Sequence, residues 1–297
     1  VRILRAIRFE AKLGFKIDPA LLGPIAEHRM LLANVSPARM YDEVLKLFLT
    51  GHGEQSYDKM IEHNLFEILF PLTYDSLKKQ GFPRKHLLQR SLKNSDDRAK
   101  QGLTSSPYFV YGSLLWAPFV DLFEKAVAGG AKYSDASRDA IEDAFRVQHQ
   151  ITVIPRYVRE FIEDLWVFQF RLEAKVIRNP RRLMEHPRFK AAYDFLLLRA
   201  QAEEGSEVSE KAEYWREQFA SFEKELLARE REEAREERRD VKQEVRREID
   251  RHKGKVSQRP EHSTHNHGRS EQEGDAPKKR RRRPRRKRNK DQSGSKD

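Results

Sequence analysis

The sequence predicts an all-α protein: two helical domains, then a charged helix, then a disordered basic tail. Apolar side chains recur at helical spacing in segments that Gly and Pro residues interrupt. No segment alternates between apolar and polar residues with the period of two that a half-buried strand requires. Towards the C-terminus the composition becomes strongly charged, with few apolar side chains available for a core.

The charge is distributed unevenly along the 297 residues, whose formal net charge is +12. Residues 1–225 contain 34 Lys and Arg against 32 Asp and Glu, whereas residues 226–297 contain 25 against 15. A nearly neutral body with a basic end indicates a polyanionic partner, either a nucleic acid or an anionic membrane.

Several broad classes of protein are disfavoured by the composition. The chain has no cysteine, which excludes a disulfide framework and a thiolate metal site. No apolar run approaches the roughly 18 residues of a membrane span, and no signal-peptide pattern is present. We therefore expect a soluble cytoplasmic protein. Because the chain begins at Val1, within an already periodic helix, we also expect a fragment of a larger protein.

Composition divides the chain into four parts. Residues 1–75 hold dense amphipathic helices, and residues 76–222 hold further helices that are rich in aromatic side chains. Residues 223–253 are polar on every side and rich in Glu and Arg, which predicts a solvated helix supported by pairs four residues apart. Residues 254–297 have almost no apolar side chains and are predicted to be disordered.

The first predicted helix, Arg2–Leu13, has an apolar side and a cationic side. At about 100° per residue, four cations fall on one arc of the helix, namely Arg2, Arg5, Arg8 and Lys12. Gly14 is expected to end this helix, because glycine adopts the left-handed C-cap conformation at little cost.

A second predicted helix begins after Ser36, because Ser is a favourable N-cap and Pro37 suits the first helical position. We expect it to extend to about Leu49. Within it Arg39 and Glu43 stand one turn apart and are able to form an ordinary helical ion pair.

The segment Val1–Phe15 resembles the neck helix of class II nucleotidyltransferases, which include the bacterial poly(A) polymerases and the CCA-adding enzymes. Arg2 matches the last residue of the family motif Glu-Asp-x-x-Arg, whose acidic pair would precede Val1. A carboxylate and a guanidinium together read the donor and the acceptor on the Watson–Crick edge of adenine. The resemblance implies that Arg2, Arg5 and Arg8 bind the nucleotide and that Lys12 contacts RNA.

Two further segments resemble the same family. Ser36–Phe48 is similar to the next helix, in which an Arg and a Glu brace the neck, so that Arg39 and Glu43 are expected to be structural. Direct contact of this pair with the substrate is the alternative. Glu185–Ala200 resembles the body segment of the bacterial poly(A) polymerases. By this resemblance residues 1–75 form a neck domain and residues 76–222 a body domain.

The resemblance implies a template-independent polynucleotide adenylyltransferase that adds AMP from ATP to RNA 3′ ends. In the family, a head domain that precedes the neck holds Mg²⁺ on two carboxylates. We therefore expect no catalytic residue and no metal ligand in this chain, and no activity from the chain alone. A CCA-adding enzyme and a non-catalytic helical RNA-binding protein are the alternatives.

The C-terminal tail contains a dense basic run, with 11 Lys and Arg among residues 278–290. Such a run gains most by neutralising phosphates, with release of counterions. RNA is favoured over a membrane because no apolar face accompanies the charges. The residues predicted to bind RNA are Lys278, Lys279, Arg280, Arg281, Arg282, Arg283, Arg285, Arg286, Lys287 and Arg288.

Two other patterns predict no site. Gly51-His52-Gly53 superficially begins a Gly-rich phosphate loop, but no strand precedes it and the later glycine is absent. His262, His265 and His267 lie in a polar segment without the fixed geometry that a metal site requires.

Overall fold

A computed structural model describes residues 1–81, 86–202 and 206–256 of the chain, with side chains to residue 248. Over these ranges every regular element is helical, which confirms the all-α prediction. The chain divides into two compact units, Val1–Glu233 and Ala234–Asp297. The α-helices are α1 (Arg2–Leu13), α2 (Pro19–His28), α3 (Pro37–Phe48), α4 (Gly53–Glu62), α5 (Phe66–Leu69), α6 (Pro71–Lys79), α7 (Leu87–Lys100), α8 (Pro107–Leu114), α9 (Trp116–Ala128), α10 (Tyr133–His149), α11 (Arg156–Leu172), α12 (Pro180–Met184), α13 (Phe189–Ala202) and α14 (Glu207–Val256).

The bounds of the two helices predicted at the N-terminal end are confirmed. Helix α1 ends at Gly14, whose φ of 67° is left-handed and whose N–H donates to the carbonyl of Glu10. Helix α3 begins at Pro37, as the Ser-Pro pair predicts, and ends one residue before Leu49. A short 3₁₀ helix, Arg29–Asn34, lies between α2 and α3.

One hydrophobic core extends through the first unit, from Leu4 in α1 to Trp215 in α14. Trp166 of α11 is completely buried, and its indole N–H donates to the carbonyl of Gly112 at 3.1 Å. A side chain at Gly112 would bring its Cβ to 3.2 Å from Leu165, so the absence of a side chain permits this close helix packing. Most aromatic residues of the body are thus part of the core.

The predicted parts of the chain map onto the structure as follows. The core is continuous across residues 75 and 76, and the division between neck and body at that point remains a prediction. The predicted charged helix is the C-terminal portion of α14, in which residues 223–248 are all exposed. Helix α14 extends to Val256, and from residue 257 the predicted disordered tail lies outside the described residues.

Candidate nucleotide- and RNA-binding surface

Helix α1 packs against the protein with one side and exposes its cations to solvent on the other. Its residues Leu4 and Ile7 are completely buried, and the helix packs against α3 and α4. The four cations predicted from its periodicity are accessible to solvent. Three of them are exposed, namely Arg2, Arg5 and Lys12, and Arg8 is partly exposed. The packed helix fixes the backbone that carries these guanidinium groups, so only side-chain freedom is lost when they bind a phosphate or a base edge.

A buried carboxylate joins α1 to α4. Glu10 accepts an ion pair from the Nζ of Lys59 at 3.3 Å, and its other oxygen lies 3.1 Å from the Nε2 of His63. Sequence reasoning missed this contact, although Glu10 follows Ile7 at the helical spacing of the buried side. A carboxylate within an apolar stripe requires a buried partner, because burial of an unpaired charge is costly.

A second buried carboxylate joins α3 to α1. Glu43 pairs with the Nη2 of Arg5 at 3.7 Å and with the Nζ of Lys46 at 3.1 Å. Arg39 is exposed, and the predicted pair between Arg39 and Glu43 is not among the ion pairs within the described residues. The structural role of Arg39 remains a prediction.

Arg39 and Arg5 nevertheless approach the same point, the start of α1. The charges of Arg39, Glu43 and Arg5 all act at the position of Val1, next to the first residue of α1. The first turn of α1 and the first turns of α3 therefore form one charged cluster. Arg2, the first residue of α1, is exposed.

Exposed aromatic side chains accompany the cations at the other end of α1. Phe9 is half exposed, and the guanidinium of Arg8 lies 5.5 Å from the centre of its ring. Phe15 follows the helix and is 69% exposed. Aromatic rings beside cations are able to stack on bases while the cations contact phosphates. The periodicity of α1 places Phe9 next to Arg8, but exposure of the ring depends on which neighbouring helices cover it.

The backbone N–H groups at the end of the glycine-rich segment, where α4 begins, are bound by a side chain of the protein itself. The carboxylate of Asp96, from α7, accepts the N–H of Gly53 at 2.7 Å and the N–H of Glu54 at 3.0 Å. These N–H groups at the start of α4 would otherwise be available to an anion. The segment Gly51–Gly53 therefore serves to join α4 to α7.

Among the residues with described side chains, no group of three or more His, Asp and Glu is placed to hold a metal ion. Within the part of the chain that the structure describes, no helix is both long enough and apolar enough to cross a membrane. The three histidines and the basic run of the tail lie outside the described residues, and RNA binding by the tail remains a prediction.

The helical fold and the cationic face of α1 define a class of protein, a helical module that is suited to polyanions. The family comparison is more specific. The family described as polymerase A arginine-rich C-terminus matches residues 129–253. The family described as probable RNA and SrmB-binding site of polymerase A matches residues 14–77. The chain belongs to the bacterial poly(A) polymerase family, of which it carries these two domains.

Curated relatives agree with this assignment. The chain is 34% identical to poly(A) polymerase I of Escherichia coli O6:H1, over 73% of this chain and 47% of the relative. It is 35% identical to poly(A) polymerase I of Haemophilus influenzae, over 75% of this chain and 50% of the relative. The chain therefore spans about half the length of the curated relatives that it matches.

The match to CCA-adding enzymes is shorter. The CCA-adding enzyme of Limosilactobacillus fermentum is 32% identical over 92 residues, which cover 31% of this chain and 22% of that enzyme. The poly(A) polymerase match extends over 219 residues or more, so the comparison favours that branch of the superfamily.

Proposed function

We propose that this chain selects the nucleotide and holds the RNA in a template-independent polynucleotide adenylyltransferase, which adds AMP from ATP to RNA 3′ ends. The observation that carries the proposal is the face of α1. Its cations are accessible, while its opposite side is packed by Leu4 and Ile7 and joined to α4 by Glu10. RNA 3′ ends and ATP are the proposed partners.

The proposed roles of the α1 residues follow from their chemistry. Arg2, at the exposed start of the helix, would donate to the acceptor on the adenine edge. Arg5 and Arg8, one and two turns further along, would contact the ribose and the phosphates. Lys12 would hold the RNA backbone, because an ammonium is a point charge that suits phosphate without specifying a base.

The transfer step itself is assigned to residues other than those described. We propose that Mg²⁺ is held elsewhere in the intact enzyme. The matching prediction is that the 297-residue chain alone does not extend an RNA primer from ATP. We also propose that the protein is cytoplasmic and that it acts in mRNA polyadenylation.

The decisive experiment measures nucleotide preference. In a fusion of this chain to the N-terminal half of the Escherichia coli relative, Arg2→Ala should lower the ratio of kcat/KM for ATP to that for CTP. A lost base-edge contact corresponds to about 1–3 kcal/mol of discrimination. Arg138→Ala, which removes an exposed arginine of α10, is the control. An unchanged ratio for Arg2→Ala would remove Arg2 from base recognition.

The CCA-adding enzymes supply the second candidate function, because one of them matches 92 residues of this chain. The same fusion distinguishes the two functions. Extension of a primer by ATP alone supports adenylyl transfer, whereas ordered incorporation of CTP before ATP supports CCA addition.

A further inference from the structure

A second concentration of positive charge lies in the body, far from α1 in sequence. Residues 171–190, here called the body basic segment, contain seven Lys and Arg against two Glu. The remainder of residues 1–225 contains 27 Lys and Arg against 30 Asp and Glu. The segment therefore has a net charge of +5, whereas the remainder of residues 1–225 has a net charge of −3.

Both acidic residues of the body basic segment are already engaged. Glu173 accepts ion pairs from Arg199, one of them from Nη2 at 3.3 Å. Glu185 accepts from the Nε of Arg181 at 3.2 Å. Within the described residues, four exposed cations of the segment have no carboxylate partner, namely Arg171, Lys175, Arg178 and Arg182. Such cations retain their full charge for an external anion.

The backbone that carries these cations is held in place although part of it is irregular. Trp215 of α14 donates its indole N–H to the carbonyl of Leu172 at 2.9 Å. Lys211 donates to the carbonyl of Ala174 at 2.8 Å. The side chain of Asn179 accepts the N–H of Arg182 at 3.1 Å and so caps α12. The cations thus project from a fixed framework.

A cavity of about 480 Å³ lies beside the end of the body basic segment. It is formed by residues of α7, α8 and α13 and by the loop before α8, and Lys190, the last residue of the segment, lines it. Its lining also includes Ser91, Asn94, Arg98, Ser105 and Tyr108. This volume is within the range of small-molecule sites.

Two hydroxyl groups of the cavity lack partners. The side chain of Ser91 is 1% exposed, and neither its Oγ nor the buried Oγ of Ser105 has a hydrogen-bond partner within the described residues. Buried polar groups are normally satisfied, so these two hydroxyls are exceptions within the wall of the cavity. Arg98 donates Nε and Nη2 to the carbonyl of Thr104 and keeps the N–H groups of Nη1.

An aromatic and cationic stack connects the cavity with the segment. The Tyr108 ring, which lines the cavity, stacks on Phe161 with 3.6 Å between ring centres. The guanidinium of Arg188 lies 4.0 Å from the centre of the same Phe161 ring. Phe161 therefore holds both side chains in position, which orders Tyr108 before any ligand binds.

We propose that this cavity accepts one unstacked nucleotide of single-stranded RNA and that the body basic segment binds the neighbouring phosphates. An aromatic ring, hydroxyl and amide groups, and adjacent cations are the groups that single-stranded RNA requires for stacking, base-edge and phosphate contacts. The inference rests on the proposed function in that the ligand is RNA. It adds a body site that is separate from α1 and from the tail.

The phosphate contacts are tested by salt dependence. We choose Lys175→Ala, Arg178→Ala and Arg182→Ala, combined in the full chain, with binding of a fluorescent oligoadenylate measured by anisotropy at several salt concentrations. Each phosphate contact on a single strand contributes about −0.7 to the slope of log K against log salt, so the slope should become shallower by about 2. The control removes the same charge from exposed positions elsewhere, with Lys78, Lys125 and Lys132 changed to Ala.

The outcomes separate the two proposals. A shallower slope for the segment variant alone supports the inference, and equal slopes for the two triple variants overturn it while leaving the proposed function intact. A parent chain that does not bind the oligoadenylate overturns both. Displacement of the RNA by polyglutamate at equal charge concentration would mean that the segment recognises acidic chains in general, which overturns the assignment to RNA.

The cavity is tested by photochemical cross-linking. An oligoadenylate that carries internal thiouridine should cross-link to peptides that contain Ser91–Arg98 or Tyr108. Tyr108→Leu should weaken RNA binding by about 5- to 150-fold, because a lost base stack is worth about 1–3 kcal/mol, without changing the salt slope. Tyr133→Leu, which also removes a tyrosine packed on phenylalanine rings, is the control. Cross-links confined to other peptides overturn the cavity assignment, provided that both variants melt like the parent.

Discussion

Helix α1 and the body basic segment carry similar charge but hold it differently. On α1, Arg5 is paired with a buried carboxylate of α3, and the helix itself is joined to α4 through Glu10. In the body basic segment the two carboxylates are engaged by Arg181 and Arg199, and exposed cations such as Arg178 lack carboxylate partners within the described residues. Under the two proposals, this difference suits α1 to precise placement of a ligand and the segment to attraction of phosphates.

The largest loss of stability is expected on replacing Glu10, the buried group that joins α1 to α4. Glu10→Ala removes the shared partner of Lys59 and His63 and leaves the Lys59 ammonium and the His63 ring without it at the interface of α1 and α4. Loss of one member of a buried ion pair typically costs 3–5 kcal/mol, and because Lys59 is partly exposed we expect about 3 kcal/mol. Urea unfolding of the full chain measures this loss.

Glu27→Ala is the control for that measurement, because Glu27 is exposed on α2. Its free energy of unfolding should remain within about 0.5 kcal/mol of the parent. Equal losses for the two variants would mean that Glu10 does not join α1 to α4, and the contrast between α1 and the body basic segment would then fail.

The tail, residues 254–297, provides a third concentration of basic charge for the comparison. Deletion of residues 254–297 should leave thermal unfolding unchanged, because this stretch has almost no apolar side chains for a core. If about five basic residues of the tail engage RNA at once, the slope of log K against log salt should become shallower by about 3–4. Parallel slopes for the full and truncated chains would contradict RNA binding by the tail.

The free energy of unfolding is expected to depend on pH through His86, which contacts α4, the helix that packs against α1. His86 is buried, and its Nε2 lies 3.1 Å from the hydroxyl of Tyr57 in α4. Burial lowers the pKa of His86 to about 4. The unfolded chain, with an ordinary histidine pKa near 6.5, binds this proton first as the pH falls. Folding stability should therefore decrease by about 2 kcal/mol between pH 7 and pH 5.

His86→Gln tests the origin of that pH dependence, because glutamine retains a hydrogen-bonding group but does not titrate. The slope of the unfolding free energy against pH should become shallower over this interval in the variant. If parent and variant keep the same slope, His86 is not the group that titrates.

The smallest effects concern the surface charges at the start of α1. Arg39→Ala should lower the free energy of unfolding by about 0.5 kcal/mol, as is usual for an exposed charge, and Arg5→Ala should lower it slightly more because Arg5 pairs with buried Glu43. Differential scanning calorimetry is suited to both. An Arg39 variant that unfolds normally but loses activity in the fusion would assign Arg39 to the substrate rather than to the structure.

Local signals predicted much of the geometry of α1. The periodicity of α1 and Gly14 sufficed for the bounds of the helix and for its cationic arc, because the Cα geometry of a helix determines which residues share a side. The body cavity had no such signal. Ser91, Tyr108 and Lys190 come from three separate helices, and their meeting depends on how α7, α8 and α13 pack.

The sequence by itself determined that this protein is helical, that its C-terminal end is basic, and that it belongs among the bacterial poly(A) polymerases. Helical periodicity, charge counts and ordered motifs are properties of the chain that need no folding. Only the tertiary structure decided that Glu43 pairs with Arg5, that Asp96 occupies the start of α4, and that a cation such as Arg178 lacks a carboxylate partner within the described residues. These facts depend on distances between residues remote in sequence, which are set by packing of the shared core.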